Sequence, residues 1–149
     1  MAVEVEFVGV DETIKTFNRI DTETINKIQQ QIVKSGLIIE TNAKKTAPSD
    51  TGRLRSSIQT EIKNKGFTAQ VFSDVEYAVH VEYGTKAHFP PPSALKGWAR
   101  RHNMPGMEFI IARSINRRGT KARPFLFPAF EKEKQPFING IKDILKRME

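Results

Sequence analysis

Cysteine is absent from this 149-residue chain, so no disulfide braces it and no thiolate serves as nucleophile or metal ligand. The redox compartment therefore leaves no mark on the sequence. Histidine is scarce as well. His80, His88 and His102 are the only three, and beyond His80-x-Glu82 no pair has the tight spacing of metal ligands. A Ser–His–Asp set can be assembled on paper from Ser73, His80 and Asp74, but no nucleophile elbow surrounds it. A glycine-rich phosphate loop is missing too. The expectation is a protein with no catalytic residue, no cofactor and no metal. Long apolar runs are also lacking, and Met1 to Phe7 alternates apolar with acidic residues where a signal peptide would be basic. Neither a membrane partner nor export is expected.

What is present is ordinary in amount and unusual in placement. Hydrophobic residues make up 38% and charged residues 28%, and the length suits a single domain over residues 1–149. The net charge of +7 is not spread evenly. Residues 1–75 carry 10 basic and 10 acidic side chains, whereas residues 76–149 carry 14 and 7. Within that second half, nine cations (Lys86, Lys96, Arg100, Arg101, Arg113, Arg117, Arg118, Lys121 and Arg123) face one acid, Glu108. A segment so one-sided repels itself unless anions or an acidic partner lie near it. Three readings stand open for this basic insert at 86–123. It can line a channel for passing DNA, dock on an acidic rim of another protein, or remain a solvated loop that orders on assembly.

Periodicity organises the rest. Val3, Val5 and Phe7 alternate with Glu4 and Glu6 as in a strand with one wet face. Asp11 can cap a short helix carrying Ile14 and Phe17, and Asp21 or Thr22 a second. From Ile25 through Ile28, Ile32, Gly36, Ile39 and Ala43 the apolar step is three or four residues, which predicts one long helix to about Lys45. Pro48 ends it. Leu54, Ser56, Ile58, Thr60 and Ile62 then alternate as a strand, Asn64-Lys65-Gly66 turns, and Phe67 to Ser73 returns, giving a β-hairpin. Tyr77 to Tyr83 reads as a short helix or a third strand, with the helix favoured. Short helices are expected from Ser93 to Arg101 and around Met107 to Ile115. Phe130, Phe137, Ile141, Ile144, Leu145 and Met148 have helical spacing, with Pro136 set to kink that helix or start its final part. The expected fold is α+β: an antiparallel sheet, made of the hairpin and the N-terminal strand, packed against a long N-terminal helix and a C-terminal helix.

Two phrases carry turn chemistry. In Ala47-Pro48-Ser49-Asp50-Thr51-Gly52-Arg53-Leu54-Arg55-Ser56-Ser57-Ile58, Asp50 and Thr51 can bond nearby amides and Gly52 permits a positive φ. Arg53 and Arg55 leave that turn together. They either pair with acids on a neighbouring copy or brace the turn internally, with Glu82 as the natural acceptor. The second phrase, Tyr77-Ala78-Val79-His80-Val81-Glu82-Tyr83-Gly84-Thr85, offers two tyrosines, an acid and a glycine turn. A third, Ala122-Arg123-Pro124-Phe125-Leu126-Phe127-Pro128-Ala129-Phe130-Glu131, has more aromatic bulk than one face easily buries.

Taken in order, these three phrases resemble the signature of siphophage tail-completion proteins, also called neck or head–tail joining proteins, from about Thr41 to Glu133. The segment between the second and third phrases is longer here than in short members. The resemblance implies a structural virion protein of a phage or prophage that completes the tail end and joins it to the head as a ring, with six subunits. It implies location at the head–tail junction after assembly in the host bacterial cytoplasm. The implied partners are further copies of itself, the head connector, and the tail tube or tail terminator proteins, with passing genomic DNA as a further contact. Arg53, Arg55, Glu82, Tyr83, Trp98, Phe125 and Phe127 are the candidate assembly residues. Lys96, Arg100, Arg101, Arg113, Arg117, Arg118, Lys121 and Arg123 are the candidate contacts to DNA or an acidic partner. The rival expectation is a nucleic-acid-binding module whose basic 86–123 segment grips phosphates without sequence preference.

Overall fold

In the computed structural model, residues 3–7 and 21–147 are described. The helix expected after Asp11 lies outside them. A 25-residue helix, α1, spans Thr22–Thr46. Asp21 caps it, its Oδ1 accepting the Thr24 N–H at 2.7 Å. Its buried positions are Thr24, Ile28, Ile32, Ser35, Gly36, Ile39 and Ala43, the stripe that the spacing predicts from Ile28 onward with Ser35 added, while at its start Thr24 is buried and Ile25 only half-buried. Each isoleucine so buried contributes about 1.5–3 kcal/mol relative to exposure. Ala47 turns to φ −55°, ψ 129° ahead of Pro48 and stops the helix.

The sheet has three antiparallel strands, β1 (Val3–Phe7), β2 (Ile58–Lys63) and β3 (Thr68–Ser73), in the order β1–β3–β2. β3 is central and pairs Ile58 with Ser73, Thr60 with Val71 and Val3 with Ser73. The tight link Asn64-Lys65-Gly66 has positive φ at all three residues. Ala69, Val71 and Ser73 form the buried face, and α1 packs directly on it. A Cβ at Gly36 would stand 2.7 Å from the Ala69 Cβ, so the helix approaches the strand as closely as it does only because residue 36 has no side chain.

One element departs from the alternating pattern. Arg53–Ser57 is a helical turn, α2, and β2 begins only at Ile58. Leu54 and Ile58 lie four apart, a spacing that fits either period. Ser56 and Ser57 decide between them by donating their hydroxyls to the Arg53 and Leu54 carbonyls at 2.9 and 2.7 Å.

Four further helices follow: α3 (Ala78–Tyr83), α4 (Pro92–Arg101), α5 (Glu108–Arg118) and α6 (Leu126–Lys146). α6 continues through Pro136 as one helix, so the proline does not start a separate final part. Pro136 is exposed, so its ring and its missing N–H fall on the solvent side of the helix. α6 packs along α1 and over β1. The core joins Phe125, Leu126 and Ala129 to Ile39, Ile58, Val71 and Val3, with a second cluster around Ile28, Ile32 and Ala69. A buried polar link crosses this interface, where the Ser35 hydroxyl donates to Glu133 at 2.8 Å.

Candidate assembly site

Glu82 lies near the C-terminal end of the six-residue α3, only 2% exposed. α6 starts at Phe125-Leu126 with no side-chain cap of its own, and its free N–H groups need acceptors. Glu82 supplies them. Its Oε2 accepts from the Phe125 and Leu126 N–H groups at 2.8 and 3.0 Å, and its Oε1 from Phe127 N–H at 2.9 Å. A carboxylate at a helix N-terminus also meets the positive end of the helix dipole. Both oxygens are therefore spent on backbone, and the expected pairing of Glu82 with Arg53 is not formed. Glu82 fastens the second phrase to the third.

Just beyond Glu82, Thr85 and Thr120 form an antiparallel bridge with backbone bonds of 3.1 and 3.3 Å and hydroxyls 3.0 Å apart. The bridge is flanked by Gly84 (φ 73°) and Gly119 (φ 71°). A Cβ at Gly119 would sit 1.9 Å from the Thr85 carbonyl oxygen, so glycine is required for the two chain segments to pass. The bridge closes a base from which the segment between it projects as an arm. Within the arm α4 and α5 pack on each other through buried Ala99 and Ala112. The basic insert is thus a folded helical pair with a closed neck.

A second tie fixes the arm. Arg101 on α4 donates from Nε and Nη2 to the two carboxylate oxygens of Asp50 at 2.8 and 2.5 Å. This fork matches the planar geometry of both groups. The hydrogen bond from Arg101 holds the Asp50 carboxyl below its ordinary pKa, with desolvation opposing, and Asp50 in turn raises Arg101. Trp98 stacks on His102, ring centroids 4.1 Å apart, and lines a groove with Tyr77 and the Pro48–Leu54 loop. Arg101 is therefore committed inside the subunit and leaves the set of cations free for a partner.

Of the remaining expected residues, Arg55 braces its own loop by donating Nε to the Ala47 carbonyl at 2.9 Å. Arg53 is exposed beside Asp74 in a shallow hollow. Phe125 is fully buried in the core, so it presents nothing to a neighbour, whereas Tyr83 and Phe127 are 70% and 57% exposed. Those two follow Glu82 and its bonded helix start, and the aromatic surplus of the third phrase resolves into one core residue and one surface residue. Lys96, Arg100, Arg113, Arg117, Arg118, Lys121 and Arg123 are all exposed. Arg113, Arg117 and Arg118 line one hollow on α5 with Phe109 and Ile110. Phe89 meets Phe109 edge-on at 6.0 Å, and both stay open to solvent.

Sequence reasoning missed Thr85, Thr120, Phe89 and Phe109, and it read Asp50 only as a turn residue bonding nearby amides and Ile110 only as part of a helical face. A helix beginning Phe-Leu-Phe without a capping residue was the available sign that an acid elsewhere must reach it. The Asp50–Arg101 fork left no local sign. Among the described residues no group of three His, Cys, Asp or Glu could hold a metal, and no helix is long and apolar enough to cross a membrane.

Residues 11–84 match the family model HK97-gp10_like, described as "Bacteriophage HK97-gp10, putative tail-component". The match is to a phage tail component. The HK97-gp10-like stretch takes in α1, the Asp50 loop, the hairpin and α3, and it ends at Gly84, the last residue before the neck of the arm. The first signature phrase lies within it, and so does the second except for Thr85. The third, at α6, and the whole arm lie beyond it. No curated protein and no solved structure matches the chain. A phage tail component is a virion protein, so the HK97-gp10-like match carries a virion location with it.

Proposed function

We propose that this protein is a ring-forming subunit at the head-proximal end of a phage tail, where it completes the tail and joins it to the head. The HK97-gp10-like match over residues 11–84 carries the reading. The arm supports the finer part of it. Its surface keeps Phe89, Phe109 and Ile110 at 48, 61 and 57% exposure beside clustered arginines, a combination that gains stability once another surface covers it. Identical copies, six by family resemblance, would repeat one weak contact around a ring, and the closed ring would outlast any single contact. Connector and tube proteins are the neighbours above and below. Free subunits stay soluble through their net charge of +7.

Negative-stain imaging and native mass spectrometry of the purified chain, alone and with tail tubes, test this. Closed rings on tube ends are expected. Tubes that stay bare at saturating subunit concentration contradict it. A second reading rests on the placement of exposed Phe109 beside Arg113, Arg117 and Arg118, since aromatic and cationic side chains together also hold nucleic acid. Affinity for DNA at moderate salt, falling steeply as salt rises, is the mark of that reading.

A further inference from the structure

The three-stranded sheet has two unlike faces. α1 and α6 cover the one that carries Ile58, Val71 and Ala69. Strand alternation puts Glu4, Gln59, Glu61, Lys63, Gln70 and Phe72 at the positions of the other. That second face is wet. Glu4, Gln59, Glu61 and Lys63 are exposed, with Gln70 and Phe72 half-buried. Its side chains bond to one another: across the strands Gln70 donates to Glu4 at 2.5 Å and Lys63 donates to Gln70, and along β2 Lys63 lies 3.3 Å from Glu61. Glu4 and Glu61 against Lys63 leave it with a net negative charge.

The outer stripe of α5 is its complement in charge and in shape. Ile110, Arg113, Arg117 and Arg118 recur at helical spacing, with Phe109 61% exposed at the start. Eleven residues make a rod about 16 Å long, and six-residue strands run about 20 Å, so the helix fits along the sheet. Helix on sheet is also how the opposite face is already covered.

We propose that α5 of one subunit lies across the acidic sheet face of the next copy, with Arg113 and Arg117 forked onto Glu61 and Glu4 and Phe109 covering Phe72. This rests on the ring reading above and names its contact. Donor and acceptor surfaces differ, so the contact is head-to-tail, and repetition of such a contact closes into a ring when the rotation per subunit allows it. The contact is polar and salt-screened. Phosphate could bind the same arginines, but it leaves Phe109 and the acidic face uncovered.

The chain's lack of cysteine makes the test direct. Chains carrying Glu61→Cys and chains carrying Arg117→Cys are mixed, oxidised, and resolved on a non-reducing gel. As the control, Glu61→Cys chains are mixed with Lys34→Cys chains, residue 34 being exposed on α1. The expected result is a mixed dimer formed about tenfold more than in the control, a difference of about 1.4 kcal/mol in contact free energy. Glu61→Lys and Arg117→Glu should each weaken self-association about tenfold, and mixing the two variants should restore it. Equal cross-linking in both mixtures overturns the proposal, as does failure of the charge swap to restore association. Rings that form without the cross-link overturn this contact but leave the ring reading standing, whereas cross-links without closed rings keep the contact and sink the ring. Loss of DNA binding in Arg117→Glu with unchanged self-association assigns the arginines to phosphate and overturns the proposal.

Discussion

Arg101 and Asp50 are 51 residues apart in sequence and share two hydrogen bonds of 2.8 and 2.5 Å. The loop that follows the long helix thereby holds α4, and with it the arm. Asp50 titrates below its ordinary 3.8 because Arg101 donates to it. A carboxyl depressed in the folded state contributes stability above its unfolded pKa and loses it as pH falls through the folded one. The tie should therefore hold at neutral pH and open only as pH falls below the ordinary carboxyl value of 3.8. Trp98, beside the fork, reports it by fluorescence. Asp50→Asn should abolish the acid step in that signal, and an unchanged step in the variant would show that another group controls it.

Glu40 adds to the same acid sensitivity from the core side. Burial pushes its carboxyl up, but hydrogen bonds from Lys44 at 2.5 Å and from Thr60 at 2.6 Å outweigh that, and the net shift is below its ordinary 4.5. The Thr60 bond pins α1 to β2. By the same sign, this contribution is present above the unfolded value and lost on acidification. Denaturation midpoints of Glu40→Gln and the parent should differ at pH 7 and converge as pH falls below the ordinary 4.5.

Removing the Glu82 carboxylate leaves three backbone N–H groups at the start of α6 without acceptors. Glu82→Ala should destabilise the fold by about 3 kcal/mol, lowering the thermal midpoint by roughly 10 °C. Glu82→Gln should cost less, because the amide oxygen still accepts from one or two of the donors. Calorimetry on the two variants decides. If both lose the same stability, the charge rather than the acceptor count holds the helix start.

Gly36→Ala sets helix propensity against packing. Alanine favours a helix interior by about 1 kcal/mol, yet its methyl would stand 2.7 Å from the Ala69 Cβ. Overpacking of that kind costs about 1–3 kcal/mol, so the variant should be less stable in urea. Adding Ala69→Gly should recover part of the loss. A stabilised Gly36→Ala would mean that α1 shifts off the sheet freely.

Elements with one buried face were legible in the sequence because burial imposes a period. The stripe from Ile28 to Ala43 and the alternation along Thr68–Ser73 are of that kind, and the structure bears both out. Leu54–Ser57 was misread as strand because an i, i+4 apolar pair satisfies both periods and the serine hydroxyls break the tie locally. Glu82 was visible as a residue of interest, but its partners were not, since the backbone of residues 125–127 reaches it only through the tertiary fold. The cations were legible as a cluster. That Arg101 is consumed internally while Arg113 and Arg117 face outward depends on the packing of α4 on α5, which composition does not encode.

The claim on which the rest depends is that heads and tails join through this subunit. It is tested most directly by imaging particles from a phage or induced prophage whose copy of the gene carries an early stop. The account predicts filled heads and separate tails, with joining restored when the protein is supplied in trans. Complete virions in normal yield without the protein would contradict it.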